Sequence, residues 1–167
     1  YDFPDVDAAF QAAAAPQANG TVETLTHYIP VPPADAVEAI IAQLGTNACL
    51  DFLAAKLTAT PNRLIWLYAY AGIAPPERAL AFLSPRLDDR PTRVEWHRVY
   101  QQLSQQQRPD HNLVAEYRER VARQPDEPAL RYLLARLLPD PAEAEPLLLA
   151  SEAGPAPIGY GCHALAY

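Results

Sequence analysis

Methionine is absent from the 167 residues, lysine occurs once at Lys56, cysteine twice and glycine six times. Each shortage excludes something. Cys49 and Cys162 stand in no C-x-x-C pair and near no histidine at ligand spacing, so no zinc site is expected. The six glycines form neither G-x-G-x-x-G nor a P-loop, which removes the usual phosphate cradles. Ser84, Ser104 and Ser151 lack the G-x-S-x-G setting of a hydrolase nucleophile. Among His27, His97, His111 and His163 there is no i, i+4 pair and no H-E-x-x-H. A surface or packing role is expected of each, with a catalytic role for His97, between Glu95 and Arg98, as the alternative. No apolar run approaches the ~18–20 residues of a membrane span. Positive charge is also short. Thirteen Lys and Arg face twenty Asp and Glu, for a net charge of −7. Such a surface repels phosphate backbones and disfavours nucleic-acid binding, including recognition of RNA by helical repeats. No cofactor, metal or catalytic centre is therefore expected. The chain opens on Tyr1 without a methionine, which reads as a piece of a longer protein. Two isolated thiols do not fix a compartment, and a cytoplasmic one is slightly favoured.

Proline is plentiful, at 18 residues, and it is spaced. Pro16, Pro32, Pro61, Pro76, Pro91, Pro109, Pro125, Pro141 and Pro155 mark the chain every 14–18 residues, with Thr46 standing in as an N-cap where one mark is missing. Proline stops a helix and is tolerated in the first turn of the next, so each mark is a boundary. Acids follow many marks, as in Pro76-Glu77 and Pro125-Asp126-Glu127, where they complement the helix dipole. Ala, Leu, Arg, Gln and Glu fill the intervals, and apolar residues recur at three and four. The pattern predicts an all-α chain of about eleven short helices: 5–15, 20–29, 34–44, 46–59, 62–73, 76–88, 92–106, 110–123, 127–138, 141–152 and 156–167.

A single ruler fits alternate marks. Five, nine and twelve residues after Pro61 come Trp66, Tyr70 and Ile73; after Pro91, Trp96, Tyr100 and Leu103; after Pro125, Leu130, Leu134 and Leu137; after Pro155, Tyr160, Ala164 and Tyr167. This spacing is one face of a helix. Eight and four residues before the same prolines stand Leu53 and Leu57, Leu83 and Leu87, Tyr117 and Val121, Leu147 and Ser151. The intervals of 30, 34 and 30 define a helix-pair unit. One pair cannot bury its own stripe, whereas stacked pairs bury it continuously. The longer unit carries about one extra turn, at Gln105-Gln106-Gln107-Arg108.

Helix pairs of this length, with an early Trp and a closing Pro, resemble tetratricopeptide repeats. Residues 117–135 (YRERVARQPDEPALRYLLA) resemble the end of one such repeat running into the next, and residues 160–167 (YGCHALAY) resemble a first helix, with Ala164 in the place of the family's small residue. The resemblance covers 32–167, with the last repeat incomplete, and residues 1–31 read as an N-terminal helical segment. Tyr70 and Tyr100 stand where the family usually has Gly, which leaves a looser helical-repeat relative open. The resemblance implies a right-handed superhelical array of antiparallel helix pairs, an α-solenoid, with a concave groove for a partner protein or peptide. Tyr68, His97, Arg98, Gln101, Arg131, Tyr132 and Arg136 flank the stripe and would line that groove. Arg with Tyr could clamp an acidic peptide or a C-terminal carboxylate. The expected function is a non-catalytic protein-interaction module whose partner is another protein or another domain of the same chain. The alternative is an accessory, substrate-positioning domain of a larger enzyme. Arg98→Ala is expected to weaken partner binding with stability nearly unchanged. The arginines at 118, 120 and 123 read as a solvated face, with Glu116–Arg120 and Glu119–Arg123 as i, i+4 pairs. Cys49 reads as a core filler, with no bridge to Cys162.

Overall fold

The computed structural model describes residues 45–153 and 159–165, together with residues 38, 41 and 42. Every regular element among the described residues is helical, and no strand occurs among them. The expected helices 5–15 and 20–29, and most of 34–44, lie outside the described residues. The chain divides after Pro75 into two compact units, 1–75 and 76–167.

In the first unit α1 (Thr46–Ala59) packs on α2 (Leu64–Ile73). α1 buries Cys49, Leu50, Leu53 and Leu57, one stripe of a 3.6-residue period. Cys49 is a free thiol in this core, and burial raises its pKa. The expected cap at Thr46 is displaced by one residue. Gly45 is the N-cap, at φ 76, a left-handed conformation open to glycine.

The second unit holds α3 (Pro76–Leu83), a 3-10 turn (Ser84–Arg86), α4 (Val94–Gln107), α5 (Leu113–Arg123), α6 (Pro128–Ala135), α7 (Pro141–Glu152) and α8 (Tyr160–Leu165). Each α-helix packs on its successor, and α4 also packs on α6. The helix expected over 76–88 leaves α geometry after Leu83 because Pro85 has no N–H and its ring crowds the preceding turn. Among the described residues no helix is long and apolar enough to cross a membrane.

Pro76 and Pro141 open their helices as expected, and four other prolines act differently. Thr60, Arg108 and Gln124 end their helices at φ −134, −132 and −139 with ψ 66, 65 and 66, and each precedes a proline. A following proline drives a residue out of the α region. Each exit residue still donates its N–H to the carbonyl four back, at 2.8, 2.8 and 3.1 Å. Pro61, Pro109 and Pro125 therefore lie in the turns, Pro91 lies in a bend between the 3-10 turn and α4, and the next helices begin at residues 64, 94, 113 and 128 rather than at 62, 92, 110 and 127. Asp110 and Asp126 fall in those turns, outside the first helical turn. The caps that form are the side chains of Asn112, Glu127 and Asp140, which accept from the N–H groups of Ala115, Ala129 and Ala142.

The buried stripe follows the proline ruler through three of its four settings. Trp66, Trp96 and Leu130 at +5, and Tyr70, Tyr100 and Leu134 at +9, are all buried, while Ile73, Leu103 and Leu137 at +12 are half-buried. At the fourth setting Tyr160 is half-buried and Ala164 exposed, and α7 buries Leu148 in place of Leu147. α4 runs 14 residues against 10 for α2, and the additional turn is Ser104–Gln107, with Gln105, Gln106 and Gln107 exposed. The same side-chain set recurs around both tryptophans. Phe52 meets Trp66 and Phe82 meets Trp96, each with ring centroids 6.2 Å apart. Lys56 lies 5.2 Å from the Phe52 centroid, and Arg86 lies 3.9 Å from that of Phe82. Phenylalanine thus stands nine residues, and a cation five residues, before Pro61 and before Pro91. A sequence search for that pair of offsets would have found them.

Candidate functional site

Glu95, Arg98 and Gln101 follow one another at i, i+3 and i+6 along α4. Glu95 is 6% exposed, a depth at which a carboxylate needs partners. Its Oε1 accepts from Arg98 Nη1 at 2.7 Å and from the hydroxyl of Tyr160 on α8 at 3.0 Å. The Tyr160 ring lies 5.2 Å from that of Tyr132 on α6. The Arg136 guanidinium stands 6.0 Å over Tyr132 and donates to Gln101 Oε1 at 3.2 Å. Gln101, only 2% exposed, closes the ring by donating its amide to the Leu133 carbonyl at 2.9 Å. The structure thus brings Arg98, Gln101, Tyr132 and Arg136 together, with Glu95 and Tyr160 between them.

Arg98 pairs with Glu95, and among the described residues Arg136 makes no ion pair. Burial lowers the Arg136 pKa, opposed by Tyr132 and reinforced by the Arg98 charge. A guanidinium remains protonated under both influences. The Tyr132 hydroxyl is pushed up by burial and stays neutral.

The remaining candidates have other tasks. Arg131 is a strut, donating to the carbonyls of Ala150, at 3.2 Å, and Pro125. Tyr68 is half-buried on α2, in the first unit. His97 is 1% exposed, so it lines no groove and no substrate can reach its ring. Its Nδ1 lies 2.9 Å from the Tyr117 hydroxyl, and Nε2 has no hydrogen-bond partner among the described residues. Burial, with the Arg120 charge, lowers the His97 pKa to about 4 against the pull of Asp88 and Glu116. The neutral imidazole is a packing group.

Beneath it runs a second network. Arg120 donates to Glu116 Oε1 through Nε at 3.1 Å and Nη2 at 3.0 Å, and to Asp88 through Nη1. Glu116 Oε2 takes His111 at 2.8 Å and Tyr100 at 3.2 Å. Burial would raise the Glu116 pKa, but these hydrogen bonds hold it below the usual carboxylate range. The expected Glu116–Arg120 pair forms. The expected Glu119–Arg123 pair does not form among the described residues, and Arg118 reaches across to Glu143 at 3.1 Å. Arg123 lines a cavity of about 290 Å³ with Arg90, Asp126 and Glu127, and in it Arg90 pairs with Glu127.

Sequence reasoning missed Glu95 and Tyr160 as members of the site. The i, i+3 spacing of Glu95 and Arg98 signals the first. Nothing local signals a contact across 65 residues between Tyr160 and Glu95. Among the described residues no group of three His, Cys, Asp or Glu could hold a metal ion. Comparison with known family models, curated proteins and solved structures returns no match.

Proposed function

We propose that the chain is a non-catalytic helical-repeat module, resembling tetratricopeptide repeats, that holds an acidic segment of a partner protein or of another domain of its own chain. Its helix pairs would stack in a right-handed superhelix with Arg98 and Arg136 on the partner-facing side, Arg136 over the buried Tyr132 ring. The observation that carries this reading is the Arg136 guanidinium, which stands over the Tyr132 ring and makes no ion pair among the described residues, near the Arg98–Glu95 pair. A surplus guanidinium beside an aromatic ring suits a carboxylate, which it can take with two parallel hydrogen bonds. Support for the repeat comes from the recurring Phe–Trp–cation set, the matching helix exits and the packing of α4 on α6 across the intervening helix.

Burial of Glu95 changes the choice of test. Arg98 neutralises that carboxylate, so Arg98→Ala lowers stability as well as binding, and the expectation of unchanged stability is revised. Arg136→Ala is the cleaner probe. Fluorescence anisotropy with a dye-labelled tetraglutamate bearing a free C-terminus, at low salt, should show affinity falling about 10- to 100-fold in Arg136→Ala. Arg136→Lys should recover only part of it, because lysine cannot form the two-pronged contact. Undetectable binding of the probe to the wild type, or equal affinity in Arg136→Ala, overturns the reading.

A further inference from the structure

We draw no further inference here: the strongest candidate, the cavity of about 290 Å³ at the turn from α5 to α6, is already occupied in part by its own Arg90–Glu127 ion pair, and its other charged residues, Arg123 and Asp126, are exposed to solvent with nothing in the structure to show what would cover them.

Discussion

Trp96→Ala is expected to destabilise the second unit by about 3–5 kcal/mol. The indole is 2% exposed, with the Phe82 ring stacked at 6.2 Å and the Arg93 guanidinium 5.4 Å from its centroid. Truncation removes a large apolar area from the seam between α3 and α4, and the neighbouring helices can close only part of the resulting cavity. Against a typical total of about 5–15 kcal/mol, that loss approaches the whole stability of a small unit. Trp66→Ala should cost the same order in the first unit, where Phe52 packs edge-on at 89° and Lys56 lies 6.0 Å from the indole centroid. Trp96→Phe should cost less than half as much, because a six-membered ring still reaches Phe82. Urea unfolding followed by circular dichroism reads all three. A midpoint unmoved by Trp96→Ala would remove the seam from the account.

The second large effect is on pH. His97 titrates at about 4 in the folded chain, against an ordinary value of 6.5. The unfolded chain therefore binds the extra proton first. The stability held by the neutral ring is fully present above 6.5, is lost as pH falls from 6.5 to 4, and changes no further below that. The loss amounts to about 3 kcal/mol at 1.36 kcal/mol per pH unit. The groups facing the ring are Tyr117, Arg120, Asp88 and Glu116. Glu116 has its pKa lowered, so it also sheds stability as pH falls. The two are separated by His97→Gln, which is neutral throughout. Unfolding free energies at pH 7, 5.5 and 4 should show the wild type losing about 3 kcal/mol more than the variant. Parallel pH curves for the two proteins would place the imidazole in water.

The helices were legible because proline spacing and 3.6-residue periodicity are local signals. Those at 76–83, 113–123 and 141–152 fall within the segments expected for them. The starts were placed one to three residues early because each proline was read as the boundary just ahead of a helix, whereas Pro61, Pro109 and Pro125 follow an exit residue and, like Pro91, are separated from the next helix by two or three residues. The buried stripe was legible where a large side chain marks it, at Trp66, Trp96 and Leu130. It slipped on α7, where Leu147, Leu148 and Leu149 offer three phases with nothing in the sequence to choose among them. The candidate site was half legible. Arg98, Tyr132 and Arg136 stand out as charge and aromatic groups on helix faces. Gln101 and His97 look polar and exposed in sequence, yet their neighbours close over them, since burial depends on which helix lands there. Tyr160 reaches Glu95 only through the docking of α8, and no sequence spacing encodes that contact.

The added turn at the end of α4 bears on how this chain could tolerate changes in length. Four residues rotate a helix by about 400°, only 40° beyond one full revolution. Growth or loss in steps of four at Gln105–Gln107 would therefore keep Trp96 and Tyr100 facing inward and move only the loop that follows. Steps of two would swing whatever comes next by about 200°, onto the opposite side of the rod. The stretch of three exposed glutamines is where insertions and deletions can come and go without disturbing the interior.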